Sequence, residues 1–263
     1  QDDLNRAPKD RKWRLDQIRE IHLRRYLLRR KALEFFLVNQ TTSFFNFEQK
    51  ERSKVFSKII DLRPPNLVFC DTGTPEEILK RSGLIRKWQT GQISNFEYLM
   101  RLNTIAGRTY NDLSQYPVFP WILSNYTSDT IDLSDPANYR DLSKPMGALY
   151  EPRLQQFLLR YQSFNEMMDV PPFHYGSHYS NSAGVLYYLL RLEPYTSLFL
   201  KLQGGKFDIA DRLFGSIEGA WHNCLTNPSD VKELIPEFFY FPEFLINHNR
   251  FYFGKKRNGD GPI

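Results

Sequence analysis

Apolar and polar positions follow two periods in the first quarter of the chain. From Trp13 to Tyr26, the apolar residues Trp13, Leu15, Ile18, Ile21 and Leu23 stand between charged neighbours. Leu33–Val38 and Thr42–Phe47 are β-rich runs separated by Asn39-Gln40-Thr41, which predicts a hairpin with a short loop. From Glu48 to Leu62 the period lengthens to 3.6, with Val55 and Ile59, then Phe56 and Ile60, recurring four apart. Arg63-Pro64-Pro65-Asn66 breaks that helix, so a boundary is placed after Leu62.

Beyond the boundary the signals are helical, with long interruptions. Thr74 is an N-cap with Pro75 at the first helical position. Ser94 and Glu97 read as a capping box, stapled by Ile93 and Tyr98, opening a helix that buries Phe96, Leu99, Met100 and Leu102. Asp132–Pro136 reads as a turn. A helix from Pro152 turns Leu154, Phe157, Leu158 and Tyr161 inward. Helices are also expected over Ser182–Leu192 and Tyr195–Leu202. Ile209, Leu213, Ile217 and Trp221 step by four along another helical face, and Asp230–Leu234 reads as one more helical turn.

The stretch Leu102–Leu123 fits no regular element. Pro117 and Pro120 each remove a backbone donor and fix φ, yet Tyr116, Val118, Phe119, Trp121, Ile122 and Leu123 are as apolar as a core strand. The reading is buried, extended, irregular chain whose backbone groups need side-chain partners, with Arg108, Asn111, Asp112, Ser114 and Gln115 nearest to supply them. Ile235–Phe244 is aromatic, proline-broken chain of the same kind.

Charge changes this picture in one place. Residues 1–61 hold fifteen Lys/Arg against nine Asp/Glu, whereas the rest of the chain is close to balanced, so the net +5 belongs to the first segment. Ten of these cations fall between Lys9 and Lys31. They form either a solvated strand face, or a surface for anionic lipid or an acidic protein, with Arg24, Arg25, Arg29 and Arg30 as the candidate binding residues. The segment lacks a nucleic-acid-binding motif and interleaved stacking aromatics. An aromatic content of 15% predicts a ring-built core, and no apolar run approaches the ~18 residues of a membrane span. Cys70 and Cys224 are isolated thiols, consistent with a reducing compartment. The start at Gln1, without a signal peptide, is read as a piece of a longer protein.

Candidate chemistry is sparse. His174 and His178 stand four apart, but Gly176 between them and Pro171-Pro172 before them argue against a helix that would aim both at a metal, so structural histidines are preferred and no metal or cofactor is expected. Ser177 lies beside them without a nucleophile-elbow motif. Gln203-Gly204-Gly205-Lys206 lacks the phosphate-loop spacing. Glu233, Glu237 and Glu243 are read as core-rim or ion-paired acids. Asn103, Arg108, Asn111, Asp112, Asn181 and Lys232 are polar residues inside the most apolar motifs. They line a partner-binding groove or, on the preferred reading, together with His174 and His178 supply buried polar support.

Four segments carry a family resemblance. Gly107–Leu123, Tyr139–Gly147, His174–Ser182 and Asp230–Leu245 resemble, in this order, the signature segments of BEACH domains, and the likeness extends over Arg63–Gly259. Trp13–Leu62 resembles the pleckstrin-like module that precedes the BEACH domain in neurobeachin-like proteins, with Arg24-Arg25-Tyr26 and Ala32–Phe36 as its nearest matches. The resemblance implies an α+β chain: the C-terminal part of a pleckstrin-like β-sandwich with its helix at 1–62, then a C-terminally incomplete, α-rich BEACH domain with extended core segments at 63–263. It implies a non-enzymatic scaffold in a large cytoplasmic protein peripheral to endomembranes, often carrying a WD-repeat propeller. Such proteins act in vesicle trafficking, lysosome-related organelle biology and autophagy. The partners implied are proteins bound at the surface of the two modules, with an anionic membrane bound through residues 9–31 as the alternative.

Overall fold

The computed structural model describes residues 12–48, 50–164 and 170–257. The chain forms two compact units, one running to Asn111 and the other beginning at Asp112.

The first unit is built on strands β1 (Ile18–Tyr26), β2 (Arg29–Leu37), β3 (Thr42–Asn46) and β4 (Phe69–Cys70), in the order β3-β2-β1-β4. The two hairpin pairs are antiparallel, whereas β4 joins the β1 edge in parallel. Two residues after a Pro-Pro break carry too little pattern to announce a strand, and β4 has no counterpart in the sequence reading. Ile21, Leu33, Phe35 and Leu37 form the buried centre on one face of the sheet, closed by Val55, Phe56, Ile59 and Ile60 of helix α1 (Glu51–Asp61). That face buries its apolar residues at a 3.6 period on the helix and a period of two on the strands. The basic run begins at Lys9, and its first residues, 9–11, lie outside the described residues.

Helices α2 (Pro75–Ser82), α3 (Leu84–Gln89) and α4 (Asn95–Ile105) complete this unit. Thr74 and Glu77 make a full capping box, each side chain satisfying the other's backbone N–H. At α4 only half of the expected box forms. Ser94 Oγ accepts from Glu97 N, while the Glu97 carboxylate turns to Arg101 one helical turn on. Trp88 stacks on Tyr98 at 4.5 Å and fastens α3 to α4.

The second unit holds α5 (Glu151–Ser163), α6 (Ser182–Tyr188), α7 (Tyr195–Leu202), α8 (Ile217–Thr226) and the single turn α9 (Glu237–Tyr240), set around extended chain. Tyr116, Phe119 and Trp121 are among its most buried side chains. Their backbone partners come from far along the chain. Phe119 and Leu234 exchange both hydrogen bonds of an antiparallel bridge, and Trp121 N donates to Glu233 Oε2. Asp230–Leu234 is therefore extended rather than a helical turn. Tyr161 faces solvent, and Arg153 takes an inner position on α5 with Phe157. The stepping of Ile209, Leu213, Ile217 and Trp221 is split between a 3-10 turn at Ala210–Arg212 and α8, because the chain between them is extended at Leu213 and Ser216. Helix α6 stops at Tyr188, short of Leu192.

Candidate functional site

Three places gather the polar residues of interest. The first lies in the sheet of the first unit. Side chains alternate along β2, so Ala32, Glu34 and Phe36 point away from α1. Glu34 is wholly buried. Its Oε2 accepts Arg24 Nε at 2.6 Å, and its Oε1 accepts Asn111 Nδ2 at 2.8 Å and the Thr109 hydroxyl. Arg24 Nη1 donates to the Thr104 carbonyl at 2.8 Å. Arg24 is thus an internal clamp, 3% exposed, and not a free cation for a lipid or partner. Strand alternation buries it while its neighbour Arg25 is exposed, as are Arg29 and Arg30. Asn111 is exposed even though its amide reaches Glu34 and Thr42. Asn103 donates to the Leu99 carbonyl inside α4, and Arg108 N closes the helix end onto the Asn103 carbonyl.

The second place is a groove of about 780 Å³ in the second unit. Its walls take Val118 and Pro120 from the first signature segment, Pro145–Gly147 from the second, His174, Tyr175 and Tyr179 from the third, and Val231 and Glu233 from the fourth. Gly147 is required here, since any Cβ would overlap the Tyr175 ring. Phe173 and Tyr179 are exposed at 39% and 46% and form its rim. The groove offers little chemistry. The His174 ring stacks on Tyr161 at 4.3 Å, and His178 Nδ1 is engaged by Ser180. Ser177 Oγ donates to the Ser229 carbonyl, not to a histidine. His178 is exposed, as is Asn181, whose carboxamide caps α6 through Gly184 N. Neither is buried as support: Asn181 is exposed because a capping side chain sits where the helix end meets solvent, and His178 lines the groove from an exposed loop.

The third set is made of buried and half-buried polar side chains of the second unit. Arg140 clasps Glu233 through two bonds of 2.7 and 2.9 Å and also reaches the Lys144 carbonyl. Arg153 donates to the carbonyls of Cys224 and Asp230. Lys232 pairs with Asp230 and stands 4.5 Å from the Tyr187 ring centre. Asp112 is buried and caps the 3-10 turn Leu113–Gln115 through Ser114 N. Glu34, Arg140, Arg153 and Thr109 were not singled out in the sequence. The available signal was a lone charge inside an apolar run, as with Glu34 in Ala-Leu-Glu-Phe-Phe-Leu.

Glu237 gives the second unit a pH dependence. Its Oε1 accepts the Tyr116 hydroxyl, both residues are buried, and its Oε2 has no hydrogen-bond partner among the described residues. Burial raises the carboxyl above its ordinary 4.5, with the Tyr116 hydrogen bond opposing part of the rise. The stability tied to this group is therefore complete below pH 4.5 and is lost as pH climbs through the raised folded value. Glu237→Gln keeps an acceptor for Tyr116 and removes the buried charge. It is expected to melt at or above the wild-type temperature at pH 8 and to flatten the melting profile above pH 4.5. A variant profile parallel to that of the wild type would show that the carboxyl does not titrate in this window.

Residues 86–261 match the Beige/BEACH domain family, and residues 1–60 match the PH domain associated with Beige/BEACH. The chain belongs to the BEACH-domain family. It is 49% identical over 98% of its length to BEACH domain-containing protein B of Arabidopsis thaliana and 52% identical over 95% to BEACH domain-containing protein lvsE of Dictyostelium discoideum. It is also 50% identical over 94% to a putative neurobeachin homolog of Caenorhabditis briggsae. It spans 10%, 12% and 10% of these relatives' own lengths, respectively. No helix among the described residues is long and apolar enough to cross a membrane.

Proposed function

We propose that the chain is a non-enzymatic scaffold module of a much larger protein acting in membrane trafficking on the cytoplasmic side of endomembranes. On this reading residues 1–62 are its pleckstrin-like part and residues 63–263 its BEACH part. The groove takes an extended, apolar segment of a protein partner, and lysosome-related and autophagic membranes are the settings implied. A WD-repeat propeller elsewhere in the parent chain is a further expected partner.

What supports this reading is that all four signature segments contribute to one groove. Its walls are proline, methionine and aromatic side chains, which fit apolar extended chain. Its carboxylate, Glu233, is taken up by Arg140 and leaves little charge for an ionic ligand. The test is a displayed library of extended peptides selected on this chain, with affinities read by fluorescence polarisation. Phe173→Lys and Tyr179→Lys are rim changes that spare the core, and each is expected to weaken a selected peptide about tenfold or more. Selected peptides that bind both variants as well as the wild type would overturn the assignment of the groove.

A further inference from the structure

The β1–β2 hairpin turns through Leu27 and Leu28, whose φ values are 48° and 63°. A two-residue loop with positive φ at both positions suits Asn-Gly, and a branched apolar side chain is poorly accommodated there. Both leucines are nevertheless exposed, at 60% and 68%, so burial does not offset the unfavourable backbone. Arg25, Arg29 and Arg30 stand exposed immediately behind them. Arg52 of α1 donates to the Arg24 carbonyl at 3.3 Å and brings another guanidinium to the base of the finger. The Lys31 ammonium lies 5.5 Å from the centre of the Tyr26 ring. No Asp or Glu occurs between Glu20 and Glu34, so the finger carries only positive charge.

We infer that this hairpin is a membrane finger for anionic bilayers, with Leu27 and Leu28 entering the acyl boundary and Arg25, Arg29 and Arg30 meeting lipid phosphates. The dimensions agree. Arg29 lies one residue, about 3 Å, behind the leucines, and Arg25 and Arg30 lie two residues, about 7 Å, behind them, while interfacial elements bury their apolar surface ~5–10 Å deep. Two adjacent leucines on a narrow tip form a wedge rather than a flat face, and a collar of guanidinium groups complements phosphate. The inference sharpens the lipid reading of residues 9–31. It moves the contact from a basic face to the tip and removes Arg24 from it. It does not depend on the groove.

The test is co-flotation of the whole chain with vesicles of phosphatidylcholine alone, or with about 30 mol % phosphatidylserine, at ~0.15 M salt. The wild type is expected to float with the anionic vesicles only. Arg25→Gln with Arg29→Gln and Arg30→Gln is expected to lower binding about a hundredfold. Leu27→Asn with Leu28→Gly is expected to lower it about tenfold or more while melting at or above the wild-type temperature, since that pair suits the turn. This combination separates insertion from folding, because a purely structural role for the leucines would not give lost binding with retained stability. A wild type that ignores anionic vesicles overturns the inference. So does a Leu27→Asn, Leu28→Gly variant that binds like the wild type, which would leave only surface attraction. Neither result bears on the peptide groove, whose rim variants Phe173→Lys and Tyr179→Lys are expected to float normally.

Discussion

Glu34→Ala is expected to cost the first unit about 3–5 kcal/mol, among the largest single-residue effects in the chain. Removing the carboxylate leaves the Arg24 guanidinium, 3% exposed, without its anion and takes the acceptor from the Thr109 hydroxyl and the Asn111 amide. Truncating one member of a buried pair costs far more than the pair contributes as a whole, since the survivor stays desolvated and unpaired. The double variant Arg24→Met, Glu34→Leu is therefore expected to recover most of the loss. Hydrogen exchange across β1 and β2, with urea unfolding followed through Trp13 and Trp88, would measure both. A Glu34→Ala loss below about 1 kcal/mol would mean that water or rearrangement satisfies Arg24, and the clamp would lose its importance. Arg24 is consequently a poor choice for probing lipid binding, because a charge reversal there is expected to unfold the sheet before it reports on any membrane.

Glu233→Ala is expected to be of similar size, about 3–5 kcal/mol, in the second unit. The carboxylate holds both terminal nitrogens of the Arg140 guanidinium and the backbone N–H of Trp121, which lies in chain that no sheet or helix can satisfy. Arg140→Lys is expected to retain only part of the stability, because an ammonium cannot bridge both oxygens and the Lys144 carbonyl together. Trp121 is fully buried beside Trp221, with ring centres 5.2 Å apart, so local loosening will shift tryptophan emission to the red. Unchanged emission and melting in Glu233→Ala would show that the extended segment holds itself without the clasp. If it does loosen, the peptide groove should weaken with it, since Glu233 and Val118 both line that groove.

Much of the fold was legible locally. Thr74 with Pro75, the period change near Glu48, the Asn39–Thr41 turn and the two prolines of Tyr116–Pro120 each act within a few residues, through backbone donors, φ restriction and side-chain spacing. The four signature segments were likewise legible as ordered text. Their convergence was not, because it depends on pairings such as Phe119 with Leu234 that join residues more than a hundred positions apart. Of the near neighbours expected to supply partners, Asp112 and Gln115 bond the backbone of Ser114, while Phe119 and Trp121 take partners from distant Leu234, Glu233 and Arg140. Local spacing carries no information about which distant segment comes alongside.

The basic run shows the same division within the seven residues Arg24–Arg30. The order of residues alone determined that positive charge concentrates before residue 62 and where several helices begin, and composition pointed to an aromatic core. Only the tertiary structure decided that Arg24 turns inward to Glu34 while Arg25, Arg29 and Arg30 stay in water, and that Leu27 and Leu28 stand at a tip. Charge and hydropathy belong to each residue and can be read one letter at a time. Burial and pairing belong to the register of β1 on β2 and to the chain packed behind it, and they exist only once those distant parts have met.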